Sequence, residues 1–133
     1  MRVAGETVGA IGPGLLALIG VRPSDVEADV ERLLVRMLRF RVFDDGHGRM
    51  NLSLRDVGGG LLLVPQFTLA AETHRGTRPG FSTAAPPEQA ARLFVHLQKR
   101  TQSLHPAVAS GVFGANMQVA LVGDGPVTFW LES

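Results

Sequence analysis

The residues whose type alone would first suggest chemistry are four histidines, His47, His74, His96 and His105. Their spacing is irregular and none falls in a His-Glu-x-x-His frame, so no metal box is motivated and each reads as a surface or structural residue. The chain has no cysteine, which removes disulfides, a thiolate nucleophile and any Cys-type zinc site. No Gly-x-Ser-x-Gly elbow motivates a Ser-His-Asp triad. Most acids fall in the first predicted helix or in turns, an arrangement that does not pair them for acid–base work. Asp44-Asp45-Gly46 lacks the further oxygen ligands of a calcium loop and reads as a turn. Gly9, Gly12 and Gly14 are followed by a predicted strand rather than a helix, so they do not make a phosphate-cradling loop. Neither a metal nor a cofactor is expected.

Two unusual segments remain. Pro65-Gln66-Phe67-Thr68-Leu69 ends a strongly apolar run, and Gly123-Asp124-Gly125-Pro126-Val127-Thr128 opens the last one. Both put polar atoms beside a core. A Gly-Pro peptide adopts cis at a cost of only about 0.5–1 kcal/mol, and glycine lets main-chain carbonyls approach a ligand with no Cβ in the way. An ordinary β-turn accounts equally well for the second segment taken alone, and both readings stand at this point.

The elements that must position these segments follow from periodicity. Glu6 to Ile11 and Leu15 to Val21 are β-rich runs joined by Gly12-Pro13-Gly14, which predicts a hairpin. Ser24-Asp25-Val26-Glu27 has the pattern of a capping box. Val30, Leu33, Leu34, Met37 and Leu38 then share one helical face to about Phe40. Arg32, Arg36 and Arg39 lie mostly off that stripe, as a solvated face would. Arg41 to Phe43 and the segment near Met50 flank a turn, and Asp56 to Gly60 is a second break. Leu61 to Leu69 reads as one buried strand. Pro86-Pro87 opens a helix with Ala90, Leu93, Phe94 and Leu97 on one face, ending near His105-Pro106. Met117 to Val122 and Val127 to Leu131 close the chain as strand-like runs. The order β-β-α-β-β-α-β-β predicts an α+β class: an antiparallel or mixed sheet wrapped around two amphipathic helices.

At 133 residues the chain fits one domain with one core. The 45% apolar content excludes disorder, and no apolar run is long enough to span a membrane. Ala10 to Val21 is apolar enough to suggest a signal peptide. However, Glu6 precedes it and Gly12, Pro13 and Gly14 break it, so a turn and a strand are expected instead. With no cysteine to favour an oxidising compartment, the expected location is the cytoplasm. A formal charge of +1 gives no general basic field, so DNA is not expected as a partner and any RNA contact must come from a local patch. Arginine supplies twelve of the thirteen Lys and Arg residues, which suits phosphate recognition by planar forks but equally fits a compositional bias.

Seven segments, in this order and spacing, closely resemble the D-aminoacyl-tRNA deacylase family over nearly the whole length. They are Val8 to Leu16, Met50 to Leu54, Gln66 to Leu69, Arg78-Pro79 with Phe81, Ala85 to Pro87, Phe113 to Ala115, and Asp124 to Thr128. The resemblance implies a β-barrel-like homodimer with active sites at the subunit interface, where the 3′ adenosine of an aminoacyl-tRNA enters a pocket. It implies that Gln66, Phe67 and Thr68 line the adenosine and ester pocket, with main-chain N–H groups holding the ester carbonyl as negative charge develops. For Thr68 the implied roles are nucleophile or positioning group. Positioning is preferred, because nothing in the sequence identifies a base for its hydroxyl, whereas the RNA's own 2′-OH could activate water. Gly125-Pro126 matches the family's Gly-cis-Pro element, which reaches into the other subunit's pocket and rejects L-side chains; such a filter would accept D-amino acids broadly, and glycine. Arg75 and Arg78 resemble a basic loop for tRNA phosphates, although a plain solvated loop fits each arginine as well.

Pro65 stands where family members usually have serine, so a hydroxyl and an N–H near the ester are both missing. Pro65-Gln66 is shared instead with an animal-type branch that removes L-alanine from tRNA and is described with a trans Gly-Pro and a roomier pocket. Phe67 and Val127 follow the D-specific pattern, and Gly123 replaces an asparagine. Family members also begin further upstream, with a strand carrying a Gln-Arg pair whose arginine helps hold the Gly-Pro geometry; this chain starts at Met1-Arg2-Val3. A misplaced start would explain the difference as simply as a real loss, and the isomer at Pro126 stays open. Three readings result: a deacylase for D-aminoacyl-tRNA and glycyl-tRNA, an L-alanyl-tRNA editing deacylase, and a silent relative that keeps the dimer and binds tRNA ends.

Overall fold

A computed structural model describes residues 1–133. Its centre is β6 (Gly60–Pro65), the apolar run Gly-Leu-Leu-Leu-Val-Pro, in which Leu61 to Val64 are all buried. A strand covered on both faces needs no polar alternation, which is why this one reads as a continuous apolar run. Its side chains alternate between two cores, as the pleat requires. Leu61 and Leu63 join Leu34, Met37, Leu38, Leu54, Phe94 and Leu97 on one face. On the other face, Leu62 and Val64 meet Met1, with Ile11, Leu16, Ala109, Met117 and Val119 packed around them.

β6 is flanked in parallel by β3 (Gly14–Ile19) and β7 (Val108–Ser110). Parallel neighbours need crossovers, and the helices supply them. α1 (Glu27–Arg39) lies between β3 and β6, and α3 (Pro87–Leu104) between β6 and β7. Both pack their apolar stripes on the first core, through Leu34, Met37 and Leu38 from α1 and Phe94 and Leu97 from α3. α3 begins with Pro87 after the Pro86 cap and ends with cap His105, as expected. α1 begins later than the Ser24 box predicts. Its cap is Val26, whose N–H donates to Asp29 Oδ2 at 2.8 Å, while Asp25 is occupied by the Arg22 N–H at 2.7 Å.

Gly12-Pro13-Gly14 does not close a hairpin. Gly60 N–H donates to Pro13 O at 3.0 Å, and Gly14 pairs with Gly60, so the turn delivers β3 onto β6 rather than back onto its predecessor. A Cβ on Gly14 would sit 1.9 Å from Gly60 O, and this close approach requires glycine. The preceding run is instead two short strands, β1 (Arg2–Val3) and β2 (Glu6–Thr7), paired with each other and, through β1, with β8 (Met117–Gln118).

β4 (Arg41–Asp44) and β5 (Met50–Ser53) form the expected hairpin, with register shifts between Arg41 and Asp44. The predicted break at Asp56 is partly a helical turn, α2 (Leu54–Val57). Ser53 Oγ accepts from Asp56 N–H at 3.1 Å, and Asp56 Oδ2 accepts from Ser53 N–H at 2.8 Å.

The class is α+β with three helices. The barrel-like sheet is corrected: three separate sheets form and none closes on itself, because β3, β6 and β7 run parallel while the short strands pair only locally. The final run Val127 to Leu131 is not a strand, and only Met117–Gln118 of Met117 to Val122 is one. No helix is long and apolar enough to cross a membrane.

Candidate active site

β6 ends at Pro65, short of the predicted Leu69. Up to that point its N–H groups alternate sides. Leu61 donates to Ala107 O on the β7 side and Gln66 to Ile19 O on the β3 side, at 2.8 and 2.7 Å. The missing N–H of Pro65 would fall on the β7 side, where pairing stops at Leu63–Ser110, whereas the β3 side continues to Ile19–Pro65. Beyond Pro65 the chain tightens into a 3-10 turn, Phe67–Ala70, capped by Gln66.

That turn decides which amides are free. The Gln66 N–H is consumed by Ile19 O. Phe67 and Thr68 open the turn, so their N–H groups have no partner within it. Gln66 Nε2 donates to Thr68 Oγ1 at 2.5 Å, which ties the two side chains together. The side chains of Phe67 and Thr68 are exposed and that of Gln66 half-buried.

Gln66 and Phe67 line a slot with Ile19, Val21, Pro65, Ala85, Ala90, Phe94 and Phe113. Its enclosed volume is about 10 Å³, roughly one water-sized probe. At its mouth Phe67 packs on Phe81 with ring centroids 5.2 Å apart. None of the lining residues is ionisable, so the slot presents hydrogen-bonding groups and apolar surface but no general acid or base. Elsewhere, no three His, Cys, Asp or Glu side chains converge as metal ligands.

Arg75 and Arg78 lie on an exposed loop whose base is closed by two bonds between Glu72 and Gly80, N–H to O at 2.7 and 3.0 Å. Glu72 Oε1 also accepts from His74 N–H at 2.6 Å. Thr83 Oγ1 donates to Ala70 O at 2.5 Å, so the far side of this loop is fastened to the 3-10 turn. Neither arginine is engaged in an ion pair, whereas Arg22, Arg32 and Arg100 all are.

Gly125 and Pro126 are exposed and do not line the slot; their peptide is cis, with Gly125 at φ 123°. The structure thus brings Gln66, Phe67 and Thr68 together, sets the Arg75–Arg78 loop beside them, and leaves Gly125-Pro126 apart within one chain. Sequence reasoning gave no role to Phe81 or Phe113. Their contacts depend on tertiary placement, and the only available signal was their position inside matching segments.

These features define a small α+β protein that offers main-chain donors and aromatic faces at a strand end. A family model described as D-Tyr-tRNA(Tyr) deacylase matches residues 1–132, and the chain belongs to that family of aminoacyl-tRNA ester hydrolases. It is 63% identical over 132 residues to a D-aminoacyl-tRNA deacylase of Thioalkalivibrio sulfidiphilus, covering 99% of this chain and 89% of the relative. It is 61% identical to one of Pseudomonas entomophila, covering 99% and 91%. Among solved structures, a c-Myc DNA Unwinding Element Binding Protein superposes with TM-score 0.93 at 35% identity, covering 99% of this chain and 90% of that one. A probable eukaryotic D-amino acid tRNA deacylase shares the fold at TM-score 0.67 and 16% identity, over 80% and 77%.

Proposed function

We propose that the protein hydrolyses the ester of D-aminoacyl-tRNA, and of glycyl-tRNA, at the mouth of the slot beside Phe67. In this reading the terminal adenine stacks on the exposed Phe67–Phe81 pair, and the ester carbonyl oxygen points at the unpaired N–H groups of Phe67 and Thr68. Water, oriented by the RNA's 2′-OH, attacks the carbonyl carbon. The bond from that carbon to the 3′ oxygen breaks, the 3′ oxygen takes up a proton, and free amino acid and tRNA leave. The N–H donors stabilise the charge that builds on the carbonyl oxygen. Thr68 positions Gln66 through their mutual bond. The observation that carries the reading is the 3-10 turn after Pro65, which gathers the family's Gln-Phe-Thr residues and frees two adjacent main-chain donors.

Gly125-Pro126 acts in the slot of a second copy, rejecting L-side chains with main-chain carbonyls. In support, the turn is exposed and flanked by apolar side chains that a monomer leaves in water: Leu121, Val122, Val127, Phe129 and Trp130, the least exposed at 41%. A homodimer covers such a patch. Arg75 and Arg78 hold tRNA phosphates, and the enzyme works in the cytoplasm, where tRNA is charged.

Pro65 favours one second reading. It removes a donor and a hydroxyl close to the ester, as in the L-alanyl branch. To separate the two, purified protein is incubated with D-Tyr-tRNA, L-Tyr-tRNA, Gly-tRNA and tRNA mischarged with L-alanine, with duplex DNA as a competitor. Hydrolysis of the D-Tyr and Gly esters with L-Tyr spared, and no inhibition by DNA, is expected. Cleavage of L-Ala-tRNA with D-Tyr-tRNA spared selects the second reading. Binding without turnover of any ester leaves a silent relative.

A further inference from the structure

The Gly125-Pro126 turn is fixed by almost nothing of its own. Residues 121–130 are all exposed and belong to no helix or strand, and no main-chain hydrogen bond outside the regular elements involves residues 119–133. The segment is held at its two ends. Upstream, Val119 packs on the second core next to β8; downstream, Leu131 packs on the first.

The downstream end carries an unusual set of ties to α1 and the turn before it. Arg36 Nη1 donates to Glu132 O at 3.2 Å, and Arg22 Nη2 to Ser133 O at 3.3 Å. Arg22 Nη1 also lies 3.5 Å from Glu132 Oε2. Phe129 meets Phe40 edge-on at 5.7 Å, and the Arg36 guanidinium sits over that same Phe40 ring at 5.7 Å. Two arginines, one ahead of α1 and one in its last turn, thus grip one short strap through its main-chain oxygens.

We propose that Arg22 and Arg36 are positioning residues for chiral selection: by clamping the strap Phe129–Ser133 onto α1 they set where the Gly125-Pro126 turn stands. This rests on the reading that the turn is the stereochemical filter. Phe129 follows Pro126 by three positions, a reach of about 10 Å of extended chain. A loosened strap therefore lets the turn wander by more than the sub-ångström tolerance a rejecting carbonyl needs. Because the ties are to main-chain oxygens and surface-exposed, they are individually weak, and removing one arginine leaves a partial clamp.

The chain's single tryptophan, Trp130, lies inside the strap, 64% exposed, and reports on it directly. The test compares wild type, Arg22→Ala/Arg36→Ala and Pro126→Ala, each as the intact protein. Trp130 fluorescence anisotropy and the ratio of kcat/KM for D-Tyr-tRNA over L-Tyr-tRNA are measured. In that ratio any effect common to tRNA binding cancels. The double variant is expected to lower both the anisotropy and the ratio, the latter by about threefold to tenfold. Arg36→Lys, which keeps the charge but not the fork, should recover part of the loss. A purely structural role would lower Tm and total activity while leaving the ratio unchanged, and that outcome overturns the inference. So does unchanged anisotropy. If Pro126→Ala itself leaves the ratio at the wild-type value, the filter reading fails. If only the arginine variants are silent, the filter stands and the clamp falls. Should the double variant not fold, the single variants Arg22→Gln and Arg36→Gln are judged by the same two readouts.

Discussion

Replacing Phe67 by alanine separates what its side chain does from what its main chain does. The ring is 55% exposed, so somewhat under half of a phenylalanine's burial is lost, about 0.7–1.4 kcal/mol. Its contact with Phe81 at 5.2 Å adds about 0.5–1.5 kcal/mol. The folded state should therefore weaken by about 1–3 kcal/mol, well short of unfolding a domain with the usual margin of about 5–15 kcal/mol. Alanine keeps the N–H that is assigned to the ester oxygen. What disappears is the platform for adenine, and stacking of a base on an aromatic ring is worth about 1–3 kcal/mol. KM for D-Tyr-tRNA should rise about 5- to 150-fold while kcat stays within a few-fold of wild type. Phe67→Tyr should restore most of the binding. Steady-state kinetics at fixed salt, with a urea midpoint to confirm folding, make the measurement. A kcat that drops a hundredfold at constant KM would place the ring in the chemical step and refute the reasoning; no change in either constant would remove Phe67 from the site.

Arg75→Ala/Arg78→Ala should flatten the dependence of log KM on log salt by about 1.4, the contribution of two phosphates on a single strand, and an unchanged slope would free both arginines of a tRNA role. Gly14→Ala should cost about 1–3 kcal/mol or more, read as a lowered denaturation midpoint, because its Cβ would meet the Gly60 carbonyl oxygen at 1.9 Å and neither strand can yield without its partner. Ser53→Ala removes the cap of α2 and strands the Asp56 N–H, for about 1 kcal/mol by the same measurement. The Glu31 carboxyl is held below its ordinary value of 4.5, chiefly by the Arg100 hydrogen bond and then by His96. A depressed carboxyl stabilises the fold above 4.5 and loses that contribution as pH falls through its folded value. The Tm advantage of wild type over Glu31→Gln should be present near neutrality and shrink in acid below pH 4.5. A constant difference across that window would refute the assignment.

The two long helices were legible because each carries a period that survives any tertiary context, whereas the four-residue α2 is too short to show one. Leu34, Met37 and Leu38, and likewise Ala90, Leu93, Phe94 and Leu97, are buried as their spacing requires. Sheet connectivity was not. Gly12-Pro13-Gly14 has the composition of a hairpin, and only the contact of Gly14 with Gly60, distant in sequence, makes it a parallel register point. The capping box expected at Ser24 does not form: the helix is capped at Val26, whose N–H donates to Asp29, while Asp25 accepts from the Arg22 N–H ahead of it. In Leu61 to Leu69 the apolar run includes Pro65, whose missing donor falls on the β7 side, where that ladder stops, and the strand ends there rather than at Leu69. The candidate site was legible only as a motif, since the atoms proposed to do its work are main-chain amides, and these have no residue type to recognise. Phe81, Phe113 and the arginine clamp on the strap depend on long-range placement that no spacing rule encodes.

A site of this construction has a particular vulnerability. Its proposed donors belong to the backbone, so among side-chain changes only one to proline removes a donor outright, but their direction depends on how β6 stops. Leu61 and Leu63 lock one face of that strand into the helical core and Leu62 and Val64 lock the other, so the strand cannot slide or roll. Gln66 then spends its N–H on Ile19, the last partner in the β3 ladder, which sets the plane of the Pro65–Gln66 peptide from which the turn departs. Only after that bond do Phe67 and Thr68 turn free. Damage to activity should consequently track the integrity of the β3–β6 register at Ile19–Pro65 more closely than it tracks polar substitutions around the slot, because the slot contains no charge for such substitutions to remove.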